Sequence, residues 1–345
     1  INADIEFNDD GSLANNYSLN GKVINTNLLL INKKLVNNLN FDFFIKDKKY
    51  KFKDINLKYF DLLVNSREIN IEKKGKNFTT SGNFKTSEVK LNQEKIKNFY
   101  DQKNSNYKID QIQFSSDNEF YFEIENKFKI DKFKINSNFN VIEAAIESIP
   151  IKIKQRLNIK DNNINLIKNV IKFKYENNTF NVVGNGKLKI DENENDINYQ
   201  ISKEKEKINF KSDIQLKNLP FDLKIVDYKN NSNLKITFNG LFNKNSEIYL
   251  DKFELKNSTD EFKITKLLIN KNRKIKKFDS LSLNFKNQSN IKNDLQINRD
   301  KNNYIVNGKV FDMTNFINDL LFEESNKNNF LFNDKKKNFL FNLKK

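Results

Sequence analysis

The feature that most constrains this chain is an alternation of apolar and polar residues that continues along almost its whole length. Ile171-Lys-Phe173-Lys-Tyr175 and Leu234-Lys-Ile236-Thr-Phe238 are typical runs. Successive side chains of a β-strand point to opposite faces, so a period of two predicts strands with one apolar and one wet face. Short clusters rich in Asn, Asp, Lys and Ser, such as Asp191 to Asp196, separate the runs and predict hairpin connections.

The number of these runs limits the architecture. The alternation template gives roughly 22 candidate strands. Open sheets of more than about ten strands curl, split or fold over. The sequence therefore predicts an all-β fold with a few short helices, built on a long, curled, mainly antiparallel sheet in the form of a trough. A pair of packed sheets and a solenoid are the alternatives.

Three stretches depart from the alternation and have apolar residues three or four positions apart, which predicts short helices. They are Leu91 to Tyr100, Val141 to Ile149 and Met313 to Phe322, and Asp312 is a candidate N-cap for the third. We therefore expect a first sheet segment over 1–140, a helical interruption over 141–160 and a second sheet segment over 161–311. Residues 312–345 would form a short helix followed by a truncated set of strands. The chain looks like a piece of a longer protein.

A quasi-repeat supports a repetitive build. Tyr17-Ser-Leu-Asn-Gly21-Lys-Val23 and Tyr304-Ile-Val-Asn-Gly308-Lys-Val310 match almost residue for residue. The Asn-Gly step has two interpretations: a two-residue hairpin turn, or a strand that continues through a glycine where two backbones approach closely. The second is favoured, because the alternation continues beyond each glycine.

Composition restricts the chemistry. The chain has no His and no Cys, so the usual occupants of acid-base, nucleophile and zinc-ligand roles are missing. The acidic clusters Asp4 to Gly11 and Asp191 to Asp196 lack the spacing of a calcium loop and are interpreted as solvated turns. We expect no catalytic residues, no metal and no cofactor, and therefore not an enzyme.

The charge is strongly basic, with 61 Lys and Arg against 45 Asp and Glu and a formal net charge of +16. Recognition of bases and phosphates favours Arg. Arg occurs only at Arg67, Arg156, Arg273 and Arg299. We interpret most of the charge as solvated background and expect no nucleic-acid partner; contact with anionic head groups is the alternative.

One segment resembles a known family. Val306-Asn-Gly308-Lys-Val310-Phe-Asp312-Met-Thr-Asn-Phe316-Ile-Asn-Asp-Leu320-Leu321, together with the long series of one-faced strands, is similar to the AsmA-like superfamily of Gram-negative envelope proteins, of the YhdP/TamB type. The resemblance implies a periplasmic protein, anchored to the inner membrane by a segment not in this chain. Its β-trough would conduct phospholipid acyl chains between the inner and outer membranes.

Shielding an acyl chain from water is favourable by about 0.8 kcal/mol per CH₂, so a continuous apolar face suits such a cargo. The expected partners are phospholipid acyl chains and the membranes at the ends of the full-length protein. Alternation does not separate an open groove from a closed core, and a structural or adhesive surface protein is the alternative function. The residues nominated as groove lining are Ile171, Phe173, Tyr175, Phe180, Val182, Leu188, Ile190, Tyr199, Ile201, Ile208, Phe210, Ile214, Leu216, Leu234, Ile236 and Phe238.

Overall fold

The structure is a computed structural model of the 345-residue chain. It describes residues 1–12, 14, 17–30, 34–99, 108–125, 129–147, 163–217, 221–223, 226–230, 232–243, 247–272, 274–301, 303–312, 314 and 338–343.

Strands account for nearly all of the regular structure in these residues, as the alternation predicts. The only helix assigned as an element there is α1, Gln93–Ile96. The strands are β1 Asn2–Asp4, β2 Ser18–Leu29, β3 Leu35–Lys46, β4 Lys49–Tyr59, β5 Leu62–Lys74, β6 Asn77–Asn92, β7 Lys108–Ile124, β8 Ile130–Glu147, β9 Asn163–Glu176, β10 Thr179–Ile190, β11 Asn193–Glu204, β12 Lys207–Leu216, β13 Phe221–Leu223, β14 Tyr228–Asn230, β15 Leu234–Phe242, β16 Ile248–Lys256, β17 Glu261–Ile269, β18 Ile275–Lys277, β19 Ser280–Lys286, β20 Lys292–Asp300, β21 Asn303–Val310 and β22 Asn338–Leu343.

The chain divides into two compact units. Unit 1 comprises Ile1–Asn104, Ile109–Ala144 and Lys168–Val182, and unit 2 comprises Ser105–Lys108, Ala145–Ile167 and Val183–Lys345. In unit 1, strands β1 to β7 pair antiparallel in chain order. In unit 2 the antiparallel order is β11, β12, β15, β16, β17, β19, β20 and β21. The predicted all-β, mainly antiparallel fold is confirmed.

Three smaller features complete unit 2. Strand β18 pairs with the end of β17, and β22 adds to β21 in parallel. Strands β13 and β14 form a separate two-stranded sheet inserted between β12 and β15.

Turn chemistry explains the hairpins. Both central residues of the turn between β3 and β4, Asp47 and Lys48, have φ of 50° and 62°, and Asn177 and Asn178 between β9 and β10 have φ of 48° and 65°. Two successive left-handed residues match the right-handed twist of the strands they join. Asn and Asp tolerate this conformation better than other residues with a Cβ. The polar clusters between the runs therefore act as hairpin turns.

Single extra residues keep the apolar side chains on one face. Asp54 in β4, Lys168 in β9 and Lys266 in β17 have φ of 51°, 51° and 48° inside their strands. In β4 the extra residue shows in the pairing with β3, where Asn40 is paired with Asn56 and Asp42 with Lys53, so that β4 advances three residues while β3 advances two. A bulge inserts one residue and bends the strand, so the apolar series returns to the same face after it.

Both Asn-Gly steps lie inside strands, which is the interpretation that the sequence favours. Gly21 lies within β2 and Gly308 within β21. A Cβ on Gly308 would stand 2.6 Å from the carbonyl oxygen of Asp294 on the neighbouring strand, and a Cβ on Gly21 would stand 2.8 Å from the ring of Phe43. Close approach across the sheet, rather than a turn, requires glycine at both positions.

Two of the predicted helices can be compared with the described residues. Residues 93–96 are helical, and the Asn92 side chain accepts a hydrogen bond from the Lys95 backbone amide at 3.0 Å as an N-cap. The helix predicted for Val141 to Ile149 is wrong over residues 141–147, which continue β8. Val141 and Ala144 are buried there while Ile142 is exposed, so apolar residues on both faces of a strand imitated helical spacing.

The third predicted helix, Met313 to Phe322, lies outside the described residues except for Thr314. Asp312 accepts hydrogen bonds from the Thr314 backbone amide at 3.0 Å and the Thr314 hydroxyl at 2.6 Å, the contacts of a local cap. The division of the chain into predicted segments stays a prediction.

Candidate functional site: the apolar sheet faces

Strand register assembles one apolar face in unit 2. Across β11 and β12, Ile201 is paired with Phe210 and Ile197 with Ile214. Across β12 and β15, Ile214 is paired with Ile236 and Leu216 with Leu234. Because paired residues of neighbouring strands point to the same side, the nominated residues among these share a face with Ile197, which was not nominated. Tyr199, Ile208 and Phe238 belong to the same face by alternation, and Leu188 and Ile190 of β10 pack in its core.

One end of this face is a sealed core, which we call the sealed end. Leu216 and Leu234 are 3% and 2% exposed, and Phe285 is 1% exposed. The cluster extends from β10 to β21, and register places its members at the same end of successive strands. Its buried members are Leu188, Ile190, Leu216, Tyr228, Leu234, Leu255, Phe262, Leu283, Phe285, Leu295 and Val306. Four nominated residues, Leu188, Ile190, Leu216 and Leu234, thus lie in a closed core.

The β13–β14 hairpin contributes the key residue of this seal. Tyr228 is 1% exposed, and its ring lies 4.7 Å from that of Phe262 and 5.4 Å from that of Phe285, measured between centroids. Its hydroxyl donates to Asp260 Oδ2 at 3.1 Å and accepts from Asn257 Nδ2 at 3.3 Å. Burial first, and then the Asp260 carboxylate, raise the pKa of the Tyr228 phenol above its ordinary value. Ring packing and the hydrogen bonds of the Tyr228 hydroxyl therefore hold the hairpin to the sheet.

The opposite end of β11, β12 and β15 is more open, and we call this region, made of Ile201, Ile208, Phe210, Phe238 and Phe242, the open corner. Phe242 is 41% exposed, and the other four are half-buried. The Phe210 ring lies 6.0 Å from that of Phe238 and 4.8 Å from that of Phe242. A small second core of Leu267, Phe278 and Tyr304 lies on or beside β17 to β21, and Leu250, which is paired with Gly240 of β15, packs against it.

A glycine shapes the face next to the open corner. A Cβ on Gly184 of β10 would overlap the ring of Tyr199 on β11. The ring can therefore lie flat across β10 only because residue 184 has no side chain. Burial raises the pKa of the Tyr199 phenol, so this nominated residue presents a neutral, mostly apolar surface.

The five nominated residues of unit 1 are all half-buried. They are Ile171, Phe173 and Tyr175 of β9 and Phe180 and Val182 of β10. A series of aromatic rings leads from β9 back across unit 1, with centroid separations of 5.7 Å, 6.4 Å, 5.8 Å and 6.1 Å between successive members. In order, these are Tyr175, Phe133, Phe122, Phe120 and Phe84.

A buried polar row crosses this apolar face and was missed from the sequence. The hydroxyls of Thr86 and Ser116 are 2.7 Å apart, and Asn118 Nδ2 donates to Ser116 Oγ at 2.8 Å and to the Phe84 carbonyl at 3.1 Å. Ser66 is paired with Ile55 on the same face, and its buried hydroxyl has no hydrogen-bond partner among the residues that the structure describes. The detectable signal is Ser, Thr or Asn at positions where the alternation calls for an apolar residue.

The opposite, wet faces carry the charge in cross-strand pairs. Lys85 Nζ lies 2.7 Å from Asp117, and Lys217 Nζ lies 2.6 Å from Asp196. The hydrogen bond from Lys217 lowers the pKa of the Asp196 carboxyl below its ordinary value. Such exposed pairs contribute little stability each, but they keep the charges off the apolar faces.

Neither a metal site nor a membrane-spanning helix is found in the part of the chain that the structure describes. No group of three or more acidic side chains there is placed to hold a metal ion. None of its helices combines the length and hydropathy of a membrane span. Comparisons of the chain with protein-family models, curated proteins and solved structures found no match. The fold and the site together define an all-β protein with a one-faced apolar sheet in each of two units.

Proposed function

We propose that the apolar faces hold phospholipid acyl chains, and that the chain is a non-catalytic part of a cell-envelope protein that conducts these lipids between the inner and outer membranes. The observation that carries the proposal is the open corner of unit 2. There, Ile208 and Phe242 are paired neighbours on an apolar face that is sealed at its other end and still partly in contact with water here.

Hydrocarbon is the occupant that this chemistry favours. The side chains of the open corner are all hydrocarbon, and they offer a ligand dispersion contacts and removal from water rather than hydrogen bonds. Each methylene that leaves water is stabilised by about 0.8 kcal/mol, so an acyl chain of ordinary length would gain several kcal/mol even from partial coverage. Movement of lipid along such a face requires no chemical step.

The location in the periplasm of a Gram-negative-type envelope follows from the AsmA-like resemblance. The one-faced apolar strands support the same proposal, because an acyl chain crossing an aqueous compartment needs apolar surface to shield it from water. Phospholipid acyl chains and the two membranes are the proposed partners.

The test is lipid retention by matched variants. The chain is expressed in a Gram-negative host and extracted gently, and bound phospholipid is measured by mass spectrometry. Ile208→Asp and Phe242→Asp each place a carboxylate in the open corner and should reduce the bound lipid severalfold, because a charge in an acyl-chain site must be desolvated. Leu241→Asp is the matched control: it is adjacent to Phe242, points to the opposite face, and should leave lipid retention unchanged.

A chain purified without any lipid, or equal lipid on all three variants, would contradict the proposal. That result would favour the structural or adhesive alternative, in which partners bind the exterior.

A further inference from the structure

One end of unit 1 exposes a cluster of large apolar side chains, which we call the apolar tip: Leu28, Leu29, Leu35, Leu63 and Phe99. Register places the four leucines at the same end of adjacent strands, with Leu28 on one face of the sheet and Leu29, Leu35 and Leu63 on the other. Leu29 is paired with Leu35 at the ends of β2 and β3, and the neighbouring pair Val36 and Tyr59 connects β3 to the end of β4. The turn after Tyr59 leads directly into Leu62 and Leu63 of β5.

Helix α1 adds the last member of the tip. The Phe99 ring, just beyond α1, lies 5.4 Å from that of Phe60 and 6.1 Å from that of Tyr59. Ile96 is buried beneath it. Phe99 therefore packs on Tyr59 and Phe60 at the end of β4.

The side chains of the apolar tip are well exposed to water. Its five side chains are between 42% and 65% exposed. Single exposed apolar residues are ordinary on protein surfaces, but several gathered at one end of a sheet offer a surface to an apolar partner. Other exposed large apolar residues include Ile24 in unit 1 and, in unit 2, Phe242 of the open corner and Val310 at the end of β21.

Lysines surround the apolar tip. Lys34 Nζ lies 5.3 Å from the centroid of the Phe60 ring and donates to the Asn98 carbonyl at 3.0 Å. Lys58, Lys95 and Lys97 lie on the same end of unit 1, where Asp61 and Glu94 are the acidic residues nearest in sequence. Lys95 is paired with Asp61 at 2.9 Å, and four lysines against these two carboxylates leave the rim with a net positive charge.

We propose that the apolar tip docks unit 1 onto an anionic phospholipid membrane, with the leucines and Phe99 inserted among the acyl chains and the lysine rim against the head groups. Apolar side chains surrounded by lysines are the composition that binds the interface of anionic bilayers, because burial and charge attraction act together. This inference rests on the proposed function and adds to it the surface through which the protein binds a phospholipid membrane.

The test is flotation of the purified 345-residue chain with vesicles. Vesicles of phosphatidylethanolamine with phosphatidylglycerol should carry the protein upward, and pure phosphatidylcholine vesicles should carry less. The double variant Leu29→Asp/Leu63→Asp should bind at least about 100-fold more weakly, since each inserted leucine is worth roughly a factor of ten. Val310→Asp, which makes the same change at an exposed residue of unit 2, is the matched control and should bind normally.

Charge is tested separately. Lys58→Glu/Lys97→Glu should weaken binding to phosphatidylglycerol vesicles by about fivefold or more per lysine at low salt, with little effect at high salt. Both variant pairs change surface residues, and an unchanged circular dichroism spectrum verifies the fold.

Vesicle binding that is absent in the unmodified chain, or equal in the leucine variant, overturns the inference. Self-association that is lost in the leucine variant, without vesicle binding, overturns it in favour of a second copy of the chain. Failure of the proposed function alone would give a different result. Vesicles would still bind through the apolar tip, while the purified chain would retain no lipid in the open corner.

Discussion

Two alanine substitutions on β15 test whether one apolar face is really closed at one end and open at the other. Leu234 and Phe242 begin and end the same strand and point to the same side. Leu234 is 2% exposed and lies beside Leu216, which is equally buried, so neighbouring backbone cannot collapse into the space left by Leu234→Ala. A deletion of this kind costs about 3–4 kcal/mol. Phe242 is already 41% in water, and Phe242→Ala should cost only about 1–1.5 kcal/mol, in proportion to its smaller buried area.

The assay is hydrogen exchange followed by mass spectrometry on peptides from β12 and β15. A chain with two compact units is not expected to unfold in one step, so local opening is more informative than a single melting temperature. Leu234→Ala should speed exchange in these strands by about 100- to 1,000-fold, and Phe242→Ala by about tenfold or less. Equal losses at the two positions would refute the reasoning, because Phe242 would then be part of a sealed core with no room for an acyl chain.

Three further predictions follow from individual contacts. Thr86→Val should cost about 1–2 kcal/mol in urea denaturation because it removes a buried hydroxyl partner of Ser116, and the double variant with Ser116→Ala should cost less than the sum of the two single changes. Gly308→Ala should cost about 1–3 kcal/mol by forcing a Cβ against the Asp294 carbonyl, whereas the same experiment on exposed Lys309→Ala in the same strand should show little change. Stability should fall as the pH rises above about 10, because the folded-state pKa of Tyr228 is raised and only the unfolded chain ionises there; Tyr228→Phe should flatten that part of the stability–pH curve, and an unchanged slope would contradict the assignment.

Alternation predicted much of the fold because it reports directly on which side of a strand a residue faces. The shared face of Ile201, Phe210 and Ile236 needed no knowledge of pairing order, since neighbouring strands with a common apolar side must align those sides. The continuing strands at Gly21 and Gly308 followed from the same pattern.

The sequence did not predict features that depend on a bulge within a strand or on which residues pack together in the folded sheet. Lys168 and Lys266 adopt left-handed backbone conformations that lysine rarely adopts. The bulges in the folded sheet impose these conformations, and the local sequence does not predict them. The role of Tyr228 as a buried seal depends on a hairpin folding back on β17 and β19, which local pattern does not encode. For the same reason, alternation nominated Leu234 and Phe210 alike, although one is sealed and the other half-buried.

The contrast between the two ends of the unit 2 face separates stability from binding. A sealed core around Leu216, Leu234 and Tyr228 stabilises the sheet whether or not a ligand is present, because its side chains leave water on folding alone. Residues at the open corner, such as Ile208 and Phe242, are less constrained by that core, and a lipid would supply the contacts that the fold leaves unmade. Substitutions there should therefore reduce bound lipid more than they reduce stability, whereas a face that served only as a core would lose both together.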